Sequence, residues 1–207
     1  MNYLRRYTDL PALLHLLLSE ELTFLDPDRW DDRNDAYYLN RYRESNELET
    51  LLAICFTQAA ETYHHWRVFC HGSSGVCLYF NHARLVGFLN KNLAIRSGPC
   101  IYRTMSAASR REIKPPELPY LKRAAFKDER EYRILFAQKH YGRKTVATVR
   151  IPLTCLRKIV VNPWMPQPLF EATAATIYSF SRGAHIEVVQ STLIDNERWK
   201  SFANGAA

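Results

Sequence analysis

The sequence predicts an α+β domain, a twisted and mostly antiparallel sheet with flanking helices, and three observations predict it. Short runs of β-branched, aromatic and aliphatic residues recur at 51–57 (LLAICFT), 76–80 (VCLYF) and 158–161 (KIVV), each the length of a strand rather than of a helix. Helical segments lie between some of these runs without the strict alternation that a wholly parallel sheet requires. The 207 residues are 47% apolar and 24% charged, enough for one substantial core. No repeat or Gly/Ser linker interrupts them, so residues 1–207 read as a single domain.

The elements follow in order. Residues 3–7 read as a strand, and Thr8-Asp9 before Pro11 supplies a helix start, because a side-chain oxygen caps free amides and proline fits the first turn. Residues 10–21 are then a helix and 22–25 a second strand, closed by Asp26-Pro27. A polar, acidic start at 28–35 leads into an amphipathic helix through Tyr38 and Tyr42. The run at 51–57 is apolar almost throughout, as in a strand covered on both faces. Residues 61–70 are helical, 71–75 turn into the strand at 76–80, and Asn81 caps another helix. Residues 95–102 form a strand, and 106–119 a basic, proline-containing mobile excursion. Residues 129–136 form a strand that pairs as a hairpin with 145–151 across 139–143. A strand at 158–161, a helix at 166–181 and a strand at 185–190 complete the reading.

Charge and cysteines bound the function. Lys and Arg total 28 against 21 Asp and Glu, a net charge of +7, which favours anionic partners. The N-terminal apolar run, broken by Pro11 and His15, is too short to span a bilayer and lacks a cleavage site, so no membrane association is expected. The five cysteines include no Cys-x-x-Cys pair and read as reduced thiols in a cytoplasmic protein. Cys55 and Cys77 lie in apolar strands, where thiols pack rather than react.

The segment Lys127-Asp128-Glu129-Arg130-Glu131-Tyr132-Arg133 puts two carboxylates two residues apart. On a strand, side chains at i and i+2 share a face, so Glu129, Glu131 and Arg133 would project together. An exposed charge ladder is one reading of that pattern, worth little energetically. The other takes in the arginines of the first strand (Arg5, Arg6), the strand ending Phe56-Thr57 and the Glu-x-Glu strand, an order that resembles the Arg, Ser/Thr, Glu pattern of the ADP-ribosyltransferase superfamily. The resemblance implies an ADP-ribosyltransferase-like fold and NAD as substrate. Arg6 or Arg5 would hold the phosphate or ribose side, Thr57 would support the nicotinamide pocket, Glu131 would bind the nicotinamide ribose, and Glu129 would face the acceptor. This chain has Thr57-Gln58-Ala59 where the superfamily pattern has Ser-Thr-Ser.

The residue types suit that chemistry. Cleavage of the nicotinamide bond develops oxocarbenium character, which a fixed carboxylate stabilises, and an arginine fork offsets diphosphate charge. Tyr63 and Trp66, a helical turn apart, are candidates for an aromatic wall on NAD, with core packing as the alternative.

The strings Trp30-Asp31-Asp32-Arg33-Asn34-Asp35, Cys55-Phe56-Thr57, Glu61-Thr62-Tyr63-His64-His65-Trp66-Arg67, Gly72-Ser73-Ser74-Gly75-Val76-Cys77 and Glu129-Arg130-Glu131-Tyr132-Arg133 together resemble a widespread bacterial family of unknown function. The family comparison implies a toxin or phage-defence effector that modifies a macromolecule, nucleic acid before protein, and a cognate inhibitor protein as partner.

Two other readings are carried. Asp26, Asp28, Asp31, Asp32 and Asp35 with Glu129 and Glu131 offer oxygen ligands to a divalent cation, as in a metal-dependent nuclease, but acidic residues also favour a helix start, so no metal site is expected. His64, His65, Cys70, His71 and Cys77 lack zinc-ligand spacing; one of the paired histidines should point inward and the other outward. Arg103, Arg110, Arg111, Lys122 and Arg123, interleaved with Tyr102, Tyr120 and Phe126, form a basic tract suited to an RNA or DNA backbone, in an enzyme or in a non-enzymatic binding module.

Overall fold

A computed structural model describes residues 2–70, 72–181 and 185–204. Its elements run β1 (Tyr3–Asp9), α1 (Leu10–Ser19), β2 (Glu21–Leu25), α2 (Arg33–Ser45), β3 (Thr50–Thr57), α3 (Tyr63–Phe69), β4 (Gly75–Asn81), α4 (His82–Leu89), β5 (Ile95–Pro99), β6 (Ile101–Arg103), α5 (Met105–Ser109), β7 (Leu121–Arg123), β8 (Glu131–Gln138), β9 (Val146–Arg150), β10 (Leu156–Val161), α6 (Gln167–Phe180), β11 (Glu187–Gln190) and α7 (Glu197–Asn204). This is the expected α+β class, with flanking helices. Among the described residues, every strand pair is antiparallel except β10 with β11 and β6 with β7.

Side-chain caps close the helix starts, Asp9 and Asn81 as predicted, Asp32 within the predicted acidic start, and Thr62 in addition. Asp9 accepts from the Ala12 amide at 2.9 Å, Asp32 from those of Asn34 and Asp35, Thr62 from that of His65 and Asn81 from that of Arg84. Each satisfies an amide that has no partner within its helix.

Strand β3 organises the sheet. One edge pairs with β8 along its whole length, from Thr50 opposite Gln138 to Thr57 opposite Glu131. The other edge is shared: β1 meets it at Arg5 and Thr57, β2 at Leu25 and Ala53. Cys55 lies between those two points, and its carbonyl accepts from Arg6 Nη1 at 3.2 Å, so a side chain serves an acceptor at the split.

One face carries the main core, where Leu4, Leu52, Ile54, Phe56, Leu78 and Ile134 meet Leu13, Leu16 and Leu17 of α1, Leu85 and Leu89 of α4 and Ile177 of α6. Two smaller clusters cover the other face. Tyr7, Cys77 and Val160 pack with Trp66 of α3, while Leu51, Ala53 and Leu135 pack with Leu39 of α2.

Several expectations are corrected. Residues 131–138 do not form a hairpin with 146–150: β8 is buried on both faces and both its edges are taken, by β3 and β5, while β9 pairs with β2. Glu129 is not on the strand; it ends a 3-10 turn over Ala124–Glu129, and Arg130 turns the chain through a positive φ of 42°. The predicted strand at 95–102 divides at Pro99-Cys100 into β5 and β6. The excursion at 106–119 contains part of α5 and a 3-10 turn over Pro115–Tyr120, with Pro119 buried. Helix α7 adds an element beyond the last predicted strand, and His71 lies outside the described residues. Among the described residues, no helix is long and apolar enough to cross a membrane.

Candidate active site

Because side chains alternate along a strand, register assigns the faces. Thr57 is opposite Arg5 on one side and Glu131 on the other, so these three form a row across β1, β3 and β8. They share the face of Tyr7, Ala53 and Leu135, and therefore lie on the strip between the α2 and α3 clusters. Arg6 is opposite Leu78, a member of the main core, and projects from the other face; burial lowers its pKa.

Two cations hold the carboxylate of Glu131. Arg133 Nε donates to Oε1 at 2.9 Å and Lys122 Nζ to Oε2 at 2.9 Å. Lys122 also donates to Glu129 Oε2 at 2.6 Å and stands 3.7 Å from Asp35. The remaining nitrogens of Arg133 grip both oxygens of Asp35 at 3.0 and 2.7 Å and the Pro119 carbonyl at 2.7 Å. Glu131 is 4% exposed and Arg133 0%, so this is a buried ionic network, not the solvated ladder that the alternation also allowed. Three carboxylates meet two cations.

That arithmetic sets the ionisation. Burial alone would raise Glu131, but Arg133 and Lys122 outweigh it and hold the carboxyl down to about 2. Burial outweighs the nearby cations at Glu129 and Asp35, and both are raised. Burial, with Glu131 adjacent, also drives the Cys55 thiol well up, away from thiolate chemistry.

The backbone fixes the rest of the row. Thr57 Oγ1 donates to the Glu129 carbonyl at 2.5 Å and accepts from the Ala59 amide at 2.9 Å, tying the end of β3 to the turn before β8. The Glu131 amide donates to the Tyr102 hydroxyl at 2.7 Å. Arg5 donates from Nη1 to the Ala59 carbonyl at 2.7 Å and lies over the Tyr79 ring at 4.8 Å. Its Nε is buried with no hydrogen-bond partner among the described residues, an arrangement that fits a ligand bearing acceptor oxygens.

The other predicted residues disperse. Trp66 is fully buried, edge-on to Tyr7, and donates to Glu61 at 2.7 Å. Tyr63 is 48% exposed and packs edge-on against Trp164, with Arg67 beside both rings. His65 points inward, bonded to Thr62 at 2.8 Å, and His64 is exposed. Lys122 faces the network. Arg103 and Arg111 both pair with Glu117, while Arg110 and Arg123 are exposed.

Four of the five clustered aspartates are engaged otherwise, with Asp31 exposed: Asp26 caps a 3-10 turn and Asp32 helix α2, Asp28 bonds Asn40 and Arg143, and Asp35 holds Arg133. Among the described residues, no group of His, Cys, Asp and Glu is arranged to hold a metal ion. A cavity of about 150 Å³ beside Lys122 is lined by Asp32, Asn34, Tyr38, Arg103, Met105 and Arg123, among others; a second, of about 240 Å³, lies by Tyr7, Phe69 and Cys70.

Sequence reasoning missed Asp35 and Lys122 as partners of Glu131. Arg133 was legible, since the i+2 spacing already placed it beside that carboxylate.

No protein-family model matches the chain, and no curated protein matches it. Among solved structures it is similar to Thermus sp. 2.9 DarT in complex with NAD+, at 13% identity and a TM-score of 0.46, over 92% of this chain and 95% of that one. The same protein in complex with ADP-ribosylated ssDNA aligns at 10% identity and a TM-score of 0.48, over 92% and 94% of the two chains. Its complex with carba-NAD+ aligns at 12% and 0.46, over 93% and 96%.

Proposed function

We propose that this chain transfers ADP-ribose from NAD to a nucleic-acid acceptor. The observation that carries the reading is the row Arg5, Thr57, Glu131, one residue from each of three adjacent strands and all on one face. It is the arginine, hydroxyl and glutamate order to which the sequence bears its resemblance. Arg5 takes the arginine role in preference to Arg6, because it shares the face and carries the unpartnered donor.

Each residue then has a task. Arg5 offers donors and charge to the diphosphate. Thr57 keeps the β3 end and the Glu129 turn in place through its two backbone bonds. Glu131, held as an anion, opposes the positive charge that develops on the ribose as the C1′ to nicotinamide bond breaks, its electron pair leaving with nicotinamide. Glu129, raised in pKa, accepts the proton that the acceptor gives up as its bond to C1′ forms. Tyr63, half exposed, supplies the aromatic surface, whereas Trp66, fully buried against Tyr7 and bonded to Glu61, belongs to the core. Exposed Arg110 and Arg123 serve the acceptor backbone.

Incubation with NAD labelled in the adenylate, together with single- or double-stranded DNA or RNA, tests the reading. Labelled nucleic acid is expected with the natural chain and not with Glu131→Gln. Equal labelling by both would remove Glu131 from the chemistry, and cutting of nucleic acid without NAD would replace the transferase by a nuclease.

A further inference from the structure

Resting on that reading, the geometry points to Arg133 as the positioning residue of the Glu131 carboxylate, with Asp35 as the group that aims Arg133. Residue 133 stands on the same face of β8 as Leu135, which packs with Leu39, Leu51 and Ala53. Apolar side chains at 133, 131 and 35 together would extend that cluster, whereas an apolar residue at 133 alone would strand the buried carboxylates of Asp35 and Glu131. Replacing a whole buried ionic network by apolar residues is often neutral or stabilising, so stability gives no reason for the network as a unit. A directional use does.

The contacts supply the direction. Asp35, on α2, takes Nη1 and Nη2 of Arg133, and the Pro119 carbonyl takes Nη1 again. The ring of Trp30 lies 5.1 Å from the guanidinium. Held on three sides by α2, the 3-10 turn and an aromatic ring, the planar fork has one remaining direction for Nε, toward Oε1 of Glu131.

Lys122 holds the other oxygen differently. It is a flexible ammonium on a three-residue strand, divided among Glu131, Glu129 and Asp35. A ribose hydroxyl can take its place at Oε2 while Arg133 keeps Oε1 fixed. The carboxylate is thus anchored at one oxygen and available at the other, as an acceptor that must stay still through bond cleavage requires.

The test measures nicotinamide release from NAD in the presence of single- and double-stranded DNA and RNA as acceptors, by the natural chain, Arg133→Lys, Asp35→Asn and Glu131→Gln, with circular dichroism confirming that each is folded at the assay temperature. Arg133→Lys keeps one charge and loses the fork. Asp35→Asn keeps the shape and releases the fork. Both are expected to lose about 10- to 100-fold in kcat, the scale of a misplacement near 1 Å, with KM for NAD unchanged. If Arg133→Lys does not fold, Asp35→Asn decides. Natural kcat in folded Asp35→Asn, or a rise in KM alone, overturns the inference. That outcome is distinct from failure of the proposed function: a natural chain that releases no nicotinamide refutes both, whereas an active natural chain, an inactive Glu131→Gln and an unaffected Asp35→Asn refute the positioning role only.

Discussion

Lys122→Met converts the charge arithmetic of the site into a stability measurement. Methionine conserves much of the lysine's length and removes the charge that Glu129 and Glu131 share at 2.6 and 2.9 Å. Glu131 keeps Arg133; Glu129 keeps no cation within ion-pair distance among the described residues. Breaking a buried pair costs about 3–5 kcal/mol, and Glu129 retains some solvent contact, so the lower end, about 3 kcal/mol at pH 7, is expected. The natural network supports the scale: holding Glu131 from an ordinary 4.5 down to about 2 corresponds to on the order of 3 kcal/mol. The sign follows from linkage. A depressed carboxylate stabilises the fold above its unfolded pKa, and that contribution is lost as pH falls from 4.5 toward 2. In the variant Glu129 moves further up, so its charged form burdens the fold at pH 7 and protonation relieves that burden as pH falls. Glu131, still paired with Arg133, loses only part of its depression, a loss common to pH 7 and pH 5. Urea denaturation at pH 7 and pH 5 therefore should show a deficit that narrows in acid. An equal deficit at both values, or one below about 1 kcal/mol at pH 7, would refute the network account.

Other consequences follow from single contacts. Calorimetric titration of NAD should find Arg5→Ala weakened about 10- to 100-fold, the equivalent of lost charge-assisted bonds, and Arg6→Ala unaffected in affinity but less stable, since the Cys55 carbonyl loses its donor. Thr57→Val strips partners from two backbone groups and should cost about 1–3 kcal/mol in thermal denaturation, where Thr57→Ser keeps both bonds. A methyl group added at Gly75 would overlap the Cβ and Sγ of Cys70; Gly75→Ala should lose about 1–3 kcal/mol, and a second change, Cys70→Gly, should restore part of it.

What was legible in the sequence follows the range of each physical signal. Helix caps and apolar runs are local, and Asp9, Asp32 and Asn81 act where their sequence context puts them. Register is not local. Nothing within residues 129–151 reveals that β8 finds its partners in β3 and β5, because the edge that a hairpin would use is filled by strands far away in sequence. For the same reason the residue types of the site were legible and its membership was not. Glu131 with Arg133 follows from the two-residue period, whereas Asp35 arrives from a helix 98 positions away. Lys122 read as one cation of a basic tract; three-residue β7 shows too little periodicity to tell an inward lysine from its exposed neighbour Arg123. Arg5 and Arg6 were separable only by pairing, since adjacent residues on a strand face opposite ways and either face could have been the functional one.

The surplus negative charge links this fold to the proposed chemistry. Helices α2 and α3 each cover an apolar cluster and leave between them a polar strip, where charges poorly reached by water must be answered by other charges. Three carboxylates against two cations leave one negative charge unanswered, and an oxocarbenium centre forming about 4 Å away would answer it, worth about 4 kcal/mol at an effective dielectric near 20. Such a site trades stability for function, and Glu129→Gln exposes the trade. The amide can still accept from Lys122, but the surplus is gone. The raised pKa of Glu129 means that its ionised form burdens the fold at pH 7 and that protonation relieves it as pH falls. The variant should therefore be more stable at pH 7 by about 1 kcal/mol, roughly 2–4 °C in Tm, with the gain fading in acid, while its nicotinamide release slows. A lower Tm at pH 7 would mean that Glu129 is a net stabilising partner of Lys122, and the site would hold no surplus charge to spend on a cationic transition state.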